Sequence, residues 1–160
     1  MAQCSVYHTM HNAIEKTVCI LVEKCYHSNL KVVVLMPNLE RQEHLNKLLW
    51  TYSQKQFIPH GSKLDPLPHL QPVYITDEFV NPNQATVLIL VEPVASQFSA
   101  ILGAQIEDHN ILKFIRICII YSDAEQQATA DIQEITTSLA NIGYIIEIYA
   151  QSANGNWVAT

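Results

Sequence analysis

Five apolar residues in a row, Val32-Val33-Val34-Leu35-Met36, stand between two stretches patterned as amphipathic helices. A strand with no polar side is buried on both faces, and sheets buried on both faces are built from parallel strands with helical crossovers. Before this run, residues 12–27 repeat apolar groups at helical spacing (Ile14, Val18, Leu21, Val22, Cys25), and Ser28-Asn29 offers a stop. After it, Leu39 to Ser53 is patterned the same way. With Cys4 to His8 as a first strand, the order is βαβα. Further strands are predicted at Val73 to Thr76, Thr86 to Val91 and Phe114 to Tyr121. The expected class is α/β: a single-domain, three-layer Rossmann-like fold with a mostly parallel central sheet over residues 1–160.

The last helix has the sharpest signals. Ser122-Asp123-Ala124-Glu125 reads as a capping box, Gly143 falls at the C′ position, and Ala128, Ile132, Ile135, Leu139 and Ile142 form one stripe. A strand is expected over Tyr144 to Ala150, then a turn and an isolated Trp157. Phe98, Ile101 and Leu102 hint at a short helix before Gly103. Residues 54–72 hold four prolines and one glycine, predicting a long ordered loop, and loops of that length tend to be functional.

Charge narrows the functions. Residues 1–63 carry seven Lys/Arg against four Asp/Glu, whereas 64–160 carry two against eleven. Gripping nucleic acid requires Lys and Arg on phosphates, so direct tight DNA binding is disfavoured. No apolar run approaches the roughly 20 residues of a membrane span, and Met1-Ala2-Gln3-Cys4 lacks the opening of a signal peptide. No membrane association and a cytoplasmic location are expected. Cys4, Cys19, Cys25 and Cys118 have no disulfide-framework spacing and read as buried thiols.

Reactive chemistry finds no motif. The turn after the first strand, His8-Thr9-Met10-His11, has no glycine to cradle a pyrophosphate, and the glycines at 61, 103, 143 and 155 fit no phosphate-binding pattern. His8, His11, Cys19, Cys25 and His27 crowd the N-terminal region, but the two cysteines are six residues apart and splay around a helix, unlike zinc ligands. Asp77-Glu78 and Glu107-Asp108 read as solvated turns. No cofactor, metal or catalytic residue is assigned. A small Rossmann-like nucleotide-binding enzyme or sensor, with the 54–72 loop as a lid, is the alternative reading.

What remains is a recognition surface. Leu45, Leu48, Leu49 and Tyr52 recur at helical spacing, and seven residues after Trp50 comes Phe57-Ile58-Pro59-His60-Gly61, with large apolar groups in a Pro/Gly loop. This Leu49-Trp50 helix end, its step to Phe57-Ile58-Pro59-His60, and the closing Gly143 and Trp157 resemble the chi subunit of bacterial DNA polymerase III, with element order agreeing over nearly the whole chain. Residues 101–110 resemble an insertion relative to shorter members.

The resemblance implies a non-catalytic adaptor of the clamp-loader complex in DNA replication. It would bind the psi subunit through a face comprising Leu49, Trp50, Phe57, Ile58, Pro59 and His60. Such proteins also hold the acidic, Phe-ending tail of single-stranded-DNA-binding protein with basic and aromatic residues of the last helix. The matching positions here are Gln133, Thr136 and Thr137, with Trp157 nearby in sequence, and that helix has no Lys or Arg. Tail binding is therefore expected to be weakened, or moved to Lys47, Lys55 or Lys63.

Overall fold

A computed structural model describes residues 2–52, 58–62, 65–103, 111–122 and 127–160. One eight-stranded sheet runs through it. The strands are β1 (Gln3–His8), β2 (Val32–Leu35), β3 (Gly61–Ser62), β4 (Val73–Thr76), β5 (Val87–Val91), β6 (Arg116–Tyr121), β7 (Ile145–Gln151) and β8 (Trp157–Ala159). Their order is β3-β4-β2-β5-β6-β1-β7-β8, and every pairing is parallel except β7 with β8. Four helices cross over: α1 (Ile14–His27), α2 (Leu39–Thr51), α3 (Ala95–Gly103) and α4 (Ala128–Asn141). None is long and apolar enough to span a membrane.

Strand alternation sorts the core into two slabs. Val32, Val34, Val73, Ile75, Val87, Ile89, Cys118 and Ile120 pack on α1 and α2 through Ile14, Val18, Val22, Leu45 and Leu49. Cys4, Val6, Val33, Leu88, Leu90, Ile117 and Ile119 face the other way, onto Ala95 and Phe98 of α3 and Ile132, Ile135 and Leu139 of α4. These are the three layers of a Rossmann-like α/β fold. The all-apolar β2 and β5 are buried along their whole length because helices cover both their faces.

The C-terminal end of α4 follows capping physics. At its C-terminus Gly143, at φ +109°, lets the chain reverse while the Gly143 amide bonds the Ala140 carbonyl and the Tyr144 amide the Leu139 carbonyl. Tyr144 then turns inward, and its one hydroxyl proton is shared between the carbonyls of Ile111 (2.8 Å) and Phe114 (2.5 Å). At the N-terminus the helix begins at Ala128, after a Gln127 whose side chain makes no capping bond. The proposed capping box at 122–125 lies, beyond Ser122, outside the described residues.

Several expectations need correcting. The 54–72 segment is not all loop: β3 adds an edge strand parallel to β4, and a 3-10 turn spans Pro68–Leu70. Gly61 allows this close approach, since a Cβ there would meet the Gln71 side chain at 2.9 Å. Trp157 is not isolated but opens β8, which pairs antiparallel with β7. Ile142 lies past the last turn of α4 and is exposed, because the helix stops before the stripe is complete. The 101–110 insertion lies largely beyond the described residues, apart from the end of α3.

Candidate partner-binding face

α2 starts at Asn38, whose side-chain oxygen accepts the Arg41 amide at 3.1 Å, the bond expected of an N-cap. From there helical periodicity drives Leu45 and Leu49 into the core, with Leu48 and Tyr52 packed partly against it. One residue after Leu49, at 2% exposure, Trp50 rotates onto the opposite flank and is 62% exposed. A large exposed indole on a helix whose neighbouring leucine is sealed is the central feature of this face.

The chain returns to α2 at Ile58, and the residues there divide into anchors and surface. Ile58, 1% exposed, plugs into the α1–α2 slab of the core. Leu49 and Ile58, expected on the face itself, are instead buried beneath it, because helical periodicity and the return of the chain turn both into the core. Pro59 and His60 are half-buried above them. His60 Nδ1 lies 2.9 Å from the Ile58 carbonyl oxygen, and its Nε2 lies 2.7 Å from Asn46 Oδ1. The ring meets the Trp50 indole edge-on, centroids 5.6 Å apart and planes at 71°. His60 is thereby a strut joining α2, the loop and the indole, with both nitrogens engaged. Phe57, the other aromatic of this motif, lies outside the described residues, as do Lys55 and Lys63; Lys47 is on α2, paired with Glu43 one turn away at 3.4 Å.

Of the residues marked for tail binding, Gln133, Thr136 and Thr137 share one turn of α4, and Trp157 lies elsewhere. Gln133 and Thr137 are exposed and Thr136 is half-buried on α4. Both threonine hydroxyls are spent on their own helix, Thr136 donating to the Ile132 carbonyl (2.9 Å) and Thr137 to the Gln133 carbonyl (2.8 Å). Trp157 packs edge-on against Tyr7, centroids 5.1 Å apart. Tyr7 belongs to the slab beneath α1 and α2, whereas α4 packs on the other side, so the sheet separates Trp157 from Thr136.

At the carboxyl ends of the strands, where ligands of doubly wound folds bind, lies a cleft of about 290 Å³ that no linear motif announces. Its lining includes His11, Asn38, Arg41, Glu92, Ser122 and Asp131. The Arg41 guanidinium is already paired with Glu15 at 2.7 Å and Glu92 at 3.4 Å. A phosphate entering there would face Glu92 and Asp131 against one neutralised arginine, which argues against the nucleotide reading. Among the described residues no three His, Cys, Asp or Glu side chains are grouped to hold a metal ion. The thiols are buried: burial pushes Cys4, Cys19 and Cys118 up to about 12, with Cys118 adding to the effect on Cys4, Glu15 and Glu23 to that on Cys19, and Cys25 to that on Cys118. Protonated thiols are poor nucleophiles.

Residues 1–147 match the family described as DNA polymerase III chi subunit, HolC. The chain is 52% identical over 120 residues, 75% of its length, to a protein of Rickettsia prowazekii (strain Madrid E) named Probable DNA polymerase III subunit chi, 70% of which is covered.

Proposed function

The chain belongs to the DNA polymerase III chi subunit family, and from that premise we propose that it is a non-catalytic adaptor that docks the psi subunit through the Trp50 face. Psi in turn joins it to the clamp loader, in the cytoplasm, during DNA replication. The observation that carries the reading is the exposed Trp50 indole held in place by His60 above the buried pair Leu49 and Ile58. A rigid aromatic anchor on a prebuilt base loses little freedom on binding, the property of residues that dominate interface energetics. Phe57 is proposed as the second anchor of the same face.

Calorimetric titration with purified cognate psi tests this directly. Trp50→Ala is expected to weaken psi at least 30-fold, about 2 kcal/mol, with the melting temperature lowered by no more than about 4 °C. Undiminished affinity would remove the assignment.

The tail of single-stranded-DNA-binding protein is proposed to bind only weakly. An acidic peptide gains its affinity from cations, and α4 carries Asp131 and Glu134 but no Lys or Arg. The expected fluorescence titration of a labelled tail peptide shows no saturation below about 100 μM, since a lost charged pair costs a factor of ten or more. A micromolar, salt-sensitive isotherm abolished by changes at Gln133 and Thr136 would contradict it.

A further inference from the structure

The cleft at the carboxyl ends of the strands sits where the topology opens a gap. β2 and β5 are neighbours in the sheet, yet the chain leaves β2 for α2 on one slab and β5 for α3 on the other. Adjacent strands whose connections part in this way leave a crevice between them, the place where doubly wound folds take ligands. Asn38 follows β2, Glu92 follows β5 and Ser122 follows β6, and all three line the cleft together with Asp131 from the first turn of α4.

Two of these groups are left without partners. Ser122 is 4% exposed, and its Oγ has no hydrogen-bond partner among the described residues. The other buried polar atom in this condition, Asn83 Oδ1, belongs to an amide whose N–H₂ already serves the Val32 and Gln71 carbonyls. The Ser122 hydroxyl serves nothing, and a buried hydroxyl left unpaired costs folding free energy that an incoming donor would recover. The half-buried Asp131 carboxylate likewise has no ion pair or hydrogen bond among the described residues.

Charge selects the ligand. Three carboxylates, Glu15, Glu92 and Asp131, stand against the one guanidinium of Arg41, which Glu15 and Glu92 already hold at 2.7 and 3.4 Å. The surplus is negative, so an anion is repelled and a cation bearing N–H donors is drawn in. A guanidinium suits the site better than an ammonium, because its five donors lie in one plane and reach separate acceptors. Pro93, Val94 and Ile132 supply an apolar wall for the stem of a long side chain. At about 290 Å³ the cleft lies at the floor of the roughly 300–1,000 Å³ of small-molecule sites, which gives room for one side chain. We infer that this cleft binds an arginine side chain presented by a basic protein segment, with Asp131 as its ion pair and Ser122 as a hydrogen-bond acceptor. The site is separate from the Trp50 face, since α2 begins at the cleft and carries Trp50 in its last turn.

NMR of the isotope-labelled full chain, titrated with the peptide acetyl-Ala-Arg-Ala-amide, tests this. Saturable shifts are expected at the amides of Asn38, Glu92, Ser122 and Asp131, and are expected to vanish when citrulline, the neutral isostere, replaces the arginine. Asp131→Asn is expected to weaken the peptide about tenfold. Ser122→Ala is expected to weaken it about fivefold while the melting temperature holds or rises, because the substitution removes an unpaired buried hydroxyl. Equal binding of the citrulline peptide, or shifts that do not saturate and spread over the whole acidic surface, would overturn the site. Ser122→Ala that lowers the melting temperature and leaves the affinity unchanged would make the hydroxyl part of the scaffold and overturn its role. Agmatine, a free guanidine with a similar stem, binding more tightly than the peptide would assign the cleft to a small-molecule cation and overturn the protein segment.

Discussion

Leu49→Ala is expected to lower the free energy of unfolding by about 2–5 kcal/mol, the range for removing a buried leucine that the core cannot collapse onto. Leu49 lies in the slab between α2 and the sheet, sealed beside Leu45 and Ile58. Its neighbour Trp50 lies on the wet flank, so Trp50→Ala is expected to move stability by no more than about 0.5–1 kcal/mol. Adjacent positions thus separate the two properties of the face: one substitution costs folding, the other costs partner binding. Urea denaturation of both variants, read beside psi titration, checks this. Leu49→Ala is also expected to weaken psi in the fraction that stays folded, because the cavity lets the end of α2 shift under the indole. Equal stabilities for the two variants would mean that the division between anchor and surface is wrong.

The second large effect is alkaline lability. Cys4, Cys19 and Cys118 are raised from 9.0 to about 12, chiefly by burial, and Tyr7 and Tyr144 from 10.0 to about 12 for the same main reason. These acids have native pKa values above their unfolded ones. Their contribution to stability is whole below the unfolded values and is lost as pH rises towards 12, since only the unfolded chain releases the protons. Each thiol removes about 1.4 kcal/mol per pH unit above 9, so three together remove about 4 kcal/mol per unit. The urea midpoint is expected to be flat from pH 7 to 8.5 and to collapse between 9 and 10.5. Cys118→Ala should make that decline shallower by about one thiol's share; an unchanged slope would show that Cys118 is not a buried acid.

Much of the architecture was legible because periodicity reports burial directly. The runs 32–36 and 86–91 could only be two-sided strands, and the stripes on α1, α2 and α4 had to face a sheet. What escaped had no local signal. β3 is two residues long and exists because Gly61 lets the backbone come up against Gln71 and β4. β8 depends on pairing with β7. At the candidate face, spacing and the family resemblance mark the Leu49–His60 region but do not say which apolar residues are inward. Ile58, in a Pro/Gly loop, reads as exposed until the loop is seen to return to the core. The Arg41 cluster joins residues from α1, α2 and the end of β5, a convergence that no linear motif encodes.

The position of β1 constrains how this chain is born. Gln3–His8 lies between Arg116–Tyr121 on one side and Ile145–Ala150 on the other. A ribosome therefore releases the first strand long before either bedfellow exists. β2, β4 and β5 can zip together from residues 32–91 alone, while the segment Cys4-Ser5-Val6-Tyr7 waits, its apolar side uncovered, until residues 116–150 have been made. During that interval the nascent chain is most exposed to misassembly, and chaperone dependence should be concentrated there.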